Sequence, residues 1–176
     1  NDLDNDGIDD SIDMLIGNEK SVNTSTINLS IFIGNYSNLS RFFNDSYKVI
    51  FRDNNLTVTE FNFNFSAYRL NLMNITINKQ LPNQKGSLLL KGLQLPQNSK
   101  KIMYADRVNK TLNGVCIKDI PISDIGNISS NCNSENEIKI RCNRLRIKSE
   151  RCTYNATTNK YKVQNLKHSG IVQTKI

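Results

Sequence analysis

The 176-residue chain is expected to be all-β, with an antiparallel, immunoglobulin-like β-sandwich followed by a small disulfide-stapled β domain. Three observations predict this. Short apolar segments alternate with polar residues at a period of two and end in turn-forming residues. No apolar stripe of 3.6-residue period persists beyond two turns, and all four cysteines lie in the last third of the chain. The expected divisions are an acidic loop and linker over 1–18, a sandwich over 19–112 and a disulfide-containing domain over 113–176.

The first element is the acidic string DLDNDGIDDSID, residues 2–13. Ile8, Ile12 and Ile16 have helical spacing, but the density of Asp argues for loop. Counting from Asp2, carboxylates occupy relative positions 1, 3, 5, 9 and 12 and glycine position 6, the ligand spacing of an EF-hand-type calcium loop. A hard cation takes 6 to 8 oxygens, and Gly7 permits the sharp turn that gathers them. Asp2, Asp4 and Asp6 would supply carboxylates, Ile8 its carbonyl, Asp10 a direct or water-mediated contact, and Asp13 the closing carboxylate. Asp13 stands where the EF-hand pattern has Glu, so the closing arm is one methylene shorter. The string also resembles the D-x-D-x-D-G-x-x-D-x-x-D calcium repeats of thrombospondin type 3 arrays. That resemblance implies a structural Ca²⁺, of the extracellular class that binds at about 10⁻⁴ to 10⁻³ M.

The strands follow. Over 28–33, Leu29, Ile31 and Ile33 share one parity and Asn28 and Ser30 the other, with Phe32 breaking the polar side. Lys48 to Phe51 and Leu56 to Thr59 are short β-branched or aromatic runs bounded by Asp53, Asn54 and Asn55. Phe61, Phe63 and Phe65 alternate with Asn62, Asn64 and Ser66. Leu70 and Leu72 then differ in parity from Ile75 and Ile77, so a break is expected near Met73. Further strand candidates are Ser87 to Leu90, Gly92 to Leu95 and Ile102 to Val108. Asn113-Gly114 reads as a two-residue turn and a domain boundary.

Cys116, Cys132, Cys142 and Cys152 are spaced by 16, 10 and 10 positions. Zinc sites usually pair cysteines as C-x₂-C, so disulfides in an oxidising compartment are expected instead. Four cysteines allow three connectivities. An extended run from Glu137 to Arg141 would hold Cys132 and Cys142 apart, which favours Cys116 with Cys132 and Cys142 with Cys152.

Eleven Asn-X-Ser/Thr sequons begin at Asn23, Asn28, Asn35, Asn38, Asn44, Asn55, Asn64, Asn74, Asn109, Asn127 and Asn155, none with central proline. Composition alone would yield about four of these motifs. The excess points to N-linked glycans on a secreted, cell-surface protein. No apolar run approaches the roughly 20 residues that span a bilayer. The chain opens on acid rather than on a signal peptide's basic and apolar regions, as expected of a mature form or an excised segment whose anchor would lie elsewhere.

The formal charge of +7 hides a division, because residues 1–13 hold six of the sixteen acids and no base. The rest carries 23 bases against ten acids, a balance of +13. The bases are not interleaved with an aromatic stacking platform, and glycans would obstruct a groove, so nucleic acid is not an expected partner. The basic excess reads first as ordinary solvated surface charge, and anionic glycans or the acidic segment of a neighbouring copy are the alternative partners. Enzymatic signatures are lacking: the single histidine, His168, has neither a nucleophile elbow nor a second histidine to work with, and is expected to bond locally with Ser169. Glu60, Asp106, Asp119, Asp124 and Glu137 show no spacing that singles out a catalytic pair.

The stretches NITINKQ, GSLLLKGLQLP, KIMYADRV, GVCIKDIPISDIGNISSNC, NEIKIRC and YKVQNLKHSG resemble a recurrent cysteine-containing β module of secreted archaeal surface proteins, over roughly 57–173. The resemblance implies location and class, with no activity attached. The expected function, drawn from dense glycan, disulfides and calcium rather than from the resemblance, is a structural subunit of a filament, sheath or surface layer. Its copies would join through the strand near 26–33 or through the final segment Gly170 to Ile176. The alternative is an adhesion or glycan-binding module, which the absence of Trp and the strand-alternating Phe residues disfavour.

Overall fold

The computed structural model describes residues 1–80, 85–144, 151–168 and 170–176. Ser169, the expected partner of His168, lies outside them. Among the described residues the strands are β1 (Leu15–Ile16), β2 (Leu29–Ile33), β3 (Ser46–Asp53), β4 (Leu56–Asn64), β5 (Leu70–Asn71), β6 (Thr76–Lys79) and β7 (Ser87–Lys91). They continue as β8 (Lys101–Asp106), β9 (Gly114–Lys118), β10 (Glu137–Arg141), β11 (Asn143–Arg144), β12 (Cys152–Asn155), β13 (Lys160–Leu166) and β14 (Gly170–Thr174). Seven strands form one sheet in the order β11-β12-β13-β8-β4-β3-β2, and five form the other in the order β10-β9-β14-β7-β6. These are more strands than the seven to nine of immunoglobulin sandwiches.

The period-two expectation holds where it was strongest. Phe61, Phe63 and Phe65 are all buried and Asn62 is exposed, because successive side chains leave opposite faces of a strand. The hairpin between β3 and β4 turns on Asn54 and Asn55, with φ of 47° and 68°. Asn tolerates this left-handed region better than other non-glycine residues, and paired positive φ values suit a two-residue hairpin. The break expected near Met73 is a 3₁₀ turn, Leu72–Asn74, capped by the Asn71 side chain.

Other expectations fail for tertiary reasons. Gly92 to Leu95 is not a strand: Gly92 has φ of 82°, and a side chain there would collide with the Asn74 carbonyl. Asn113-Gly114 is no turn, since Gly114 opens β9 and packs against the Ile140 carbonyl and the Ile176 side chain. Glycine is needed there for close approach, not for its φ.

The fold is an antiparallel sandwich with a disulfide-stapled β region, but no boundary lies at 112/113. β8 pairs with β13, and β7 pairs with β14. One hydrophobic cluster runs from Leu15 to Ile171 and includes Phe51, Ile77, Met103, Val115 and Val163. Each large apolar side chain buried in it contributes about 1.5–3 kcal/mol, so neither segment could lose the other's strands and keep a closed core. The disulfides are Cys116–Cys132 and Cys142–Cys152. The first ties β9 to the loop covering it. The second joins the residue after β10 to the first residue of β12, and thus one sheet to the other. The final segment is not available as a joint, because β14 lies between β7 and β9 with both edges paired.

Candidate metal centre

The acidic string folds back on itself ahead of β1. Asn5 and Gly7 have φ of 56° and 92°, and the two left-handed residues reverse the chain twice within four positions. As a result Asp2, Asp4 and Asp6 each bring a carboxylate oxygen within 4.8 Å of the others. Asp2 accepts the Asp6 and Gly7 amides, at 3.2 and 3.0 Å, and Asp6 accepts the Ile8 amide at 2.8 Å. Asp4 reaches furthest and accepts the Gly17 N–H at 2.5 Å.

Asp13 lies outside the trio that meets but feels its charge. It is 0% exposed, and one of its oxygens accepts the Leu15 N–H at 2.9 Å. Its Oδ2 and the Oδ1 of Asp4 are sealed from solvent without a hydrogen-bond donor. Burial pushes the Asp13 carboxyl above the usual carboxylate range, and the charges of Asp6 and Asp4 push it the same way. Asp6 is likewise raised, by burial first and then by Asp4, Asp2 and Asp10 against the opposing Ile8 hydrogen bond. An unpaired buried carboxylate is costly. Three converging carboxylates and a buried fourth, with two orphaned oxygens among them, offer oxygen donors of the kind that a hard divalent cation takes.

The other expected ligands, Ile8 and Asp10, belong to the same loop. Ile8 follows the Gly7 turn, with its amide held by Asp6. Asp10 is outside the trio that meets, and one of its oxygens accepts the Leu3 N–H at 3.0 Å. Asp9, which was assigned no role, pairs with the terminal amine at 2.8 Å, which holds its carboxyl well below the ordinary value. Arg69 is the residue that the spacing could not reveal. Its guanidinium donates to the Asp13 and Asp10 carbonyls at 2.9 and 2.5 Å across more than fifty positions of sequence. The Leu70 amide donates to the Met14 carbonyl beside it, and β1 pairs in parallel with β5. The acidic loop is thereby docked on the sandwich.

The eleven sequon asparagines lie away from the core: nine are exposed, and Asn64 and Asn155 are half-buried. At Asn38, Asn64, Asn109 and Asn155 the side-chain oxygen accepts the amide two residues on. That is an Asx turn, which leaves the amide nitrogen, where a glycan would attach, free of this bond.

The carboxylates weighed for catalysis are each engaged in structure. Asp106 pairs with Lys160 and Lys79, and Gln80 donates to it. Glu137 accepts the Ser129 hydroxyl and the Ser129 and Ser134 amides, Asp124 caps a 3₁₀ turn, and Glu60 bonds the Tyr104 hydroxyl. Asp119 accepts the Lys167 and His168 amides. His168 makes its contacts through the backbone, its carbonyl accepting from the buried Lys101 ammonium at 3.0 Å. Burial lowers the imidazole's pKa. Among the described residues no helix is long and apolar enough to cross a membrane, and two disulfides suit an oxidising, non-cytoplasmic compartment. No family model matches the chain, and neither a curated protein nor a solved structure is similar to it.

Proposed function

We propose that this protein is a structural, heavily N-glycosylated subunit of an extracellular assembly, stiffened by Ca²⁺ and two disulfides. The observation that carries the reading is the distribution of sequons over a closed core. All eleven lie at least partly in solvent, and among the described residues they leave the β10 edge clear. β2 is an edge strand, but Asn28, Asn35 and Asn38 crowd it. β10 is the edge of the five-stranded sheet, has no sequon between residues 128 and 154, and exposes Ile138 at 44%. An unpaired edge carrying an apolar residue is a template for pairing with another chain. Head-to-tail contacts of this kind that do not close produce filaments. Five of the seven Phe residues are buried and serve the core, which takes them out of any sugar-binding surface of the adhesion reading.

Asp2, Asp4, Asp6 and Asp13 would hold the Ca²⁺, which supplies the positive charge that their mutual repulsion lacks. Calorimetric titration of the metal-depleted protein tests this part, and absence of uptake at millimolar Ca²⁺ sinks it. Electron microscopy and size-exclusion chromatography of the glycosylated protein with Ca²⁺ test the assembly. Repeating particles that Ile138→Lys reduces to monomers are the expected result. A monodisperse monomer at high concentration refutes it.

A further inference from the structure

On the outer face of the seven-stranded sheet, a groove of about 360 Å³ runs between the tips of two hairpins. One tip carries Asn55 and the other Asn155, so a sequon stands at each end. The floor is Tyr104 and Leu56, the latter 44% exposed, with Lys160 and Lys162 along one side. The groove has an aromatic ring and an aliphatic side chain, as a sugar face requires, and its volume falls within the range of small-ligand clefts. Lys160 is paired with Asp106 at 2.8 Å. Lys162 has no carboxylate partner among the described residues.

We infer that this groove seats the glycan carried on Asn155, and that the glycan contains an acidic sugar facing Lys162. The inference rests on the proposal that the chain is N-glycosylated. Asn155 is favoured over Asn55 as the attachment point for a geometric reason. Its Oδ1 accepts the Thr157 and Thr158 amides at 2.8 and 3.3 Å, which fixes the side chain at the groove's rim, and its Nδ2 has no partner among the described residues. Asn55 is exposed on its turn, and no hydrogen bond from the described residues holds its side chain. Attachment at the rim makes the docking intramolecular, so weak stacking and a single ion pair suffice where a free sugar would dissociate. Docked in this way, the glycan covers Leu56, an exposed apolar residue on a glycan-facing surface.

The test is site-resolved trimming of the folded, glycosylated protein by exoglycosidases, followed by glycopeptide mass spectrometry. The Asn155 glycan is expected to be trimmed about tenfold more slowly than the one at exposed Asn23, a protection of about 1.4 kcal/mol. The difference should shrink in Tyr104→Ala and Lys162→Gln, on raising salt and on unfolding. Equal rates at the two sites in the folded protein overturn the inference without using any variant. So does binding of free oligogalacturonate by protein glycosylated at Asn155, which would place an external chain in the groove. An unoccupied Asn155 with other sequons occupied refutes the inference and spares the glycoprotein reading. Bare asparagines throughout refute both.

Discussion

Two segments of this chain solve one problem by different chemistry. Residues 1–14 and the loop over 119–136 both contribute little to the central core and must be held by something else. The N-terminal loop is gathered around carboxylates that repel one another, two of whose oxygens are orphaned. The later loop is fastened by Cys116–Cys132, with a small satellite cluster of Ile128, Ile122 and Ile125 beneath it. The disulfide responds to redox state, and Glu137 adds hydrogen bonds to Ser129 and Ser134 of the same loop. The electrostatic fastening responds to pH and, on the proposed function, to a cation.

Breaking the covalent side should have the largest effect. Cys142→Ser with Cys152→Ser removes the link between the sheets, and loop-closure entropy for a separation of ten positions gives a loss of about 3 kcal/mol. Denaturant melts would read this as a lower midpoint. An unchanged midpoint would mean that sheet packing alone joins the two layers. Next comes the cation. At a hundred times its dissociation constant, Ca²⁺ should stabilise the protein by about 2.7 kcal/mol, raising the melting temperature. A melting temperature indifferent to Ca²⁺ and to chelator would leave the N-terminal clamp without a cation.

Asp13→Asn sharpens the contrast by reversing sign. Without metal it removes an unpaired buried charge and should raise stability by about 1 kcal/mol; with Ca²⁺ present it removes a ligand and should lower it. If both conditions show the same sign, Asp13 is not part of the cation site. The smallest effect is that of pH. The Asp6 and Asp13 carboxyls have raised folded pKa values, so the metal-free folded state holds protons more tightly than the unfolded chain. Their contribution is complete below the unfolded value of about 4 and is lost as pH rises through the folded values. Melting in chelator across that window should show the decline, and saturating Ca²⁺ should abolish it. The disulfide-held loop should show no such dependence.

How much of this was legible in advance follows from the range of each interaction. The β3 to β4 hairpin was readable because Asn54 and Asn55 act on their own backbone and strand parity is local. The carboxylate trio was readable because its members are two residues apart. The disulfide pairing was favoured on a local argument, the stiffness of Glu137 to Arg141, and that run is β10. Gly114 misled because its demand is not conformational: it makes room for Ile176 and the Ile140 carbonyl. The cysteines and the Asn113-Gly114 signal lie after 112, whereas strand pairing runs across that point, β8 with β13 and β7 with β14.

The sequence by itself determined the alternation that makes this chain all-β, the acidic spacing, the sequons and the cysteines. Each is a pattern over a few neighbouring residues, and local sterics or chemistry suffices to read it. Only the tertiary structure decided that Arg69 locks the acidic loop, that β14 is interior while β10 is an open edge, and that Asn55 and Asn155 share one groove. These depend on which strands lie side by side. That order is set by closing a common core from residues as far apart as Leu15 and Ile171, a cooperative condition that no short stretch of the chain contains.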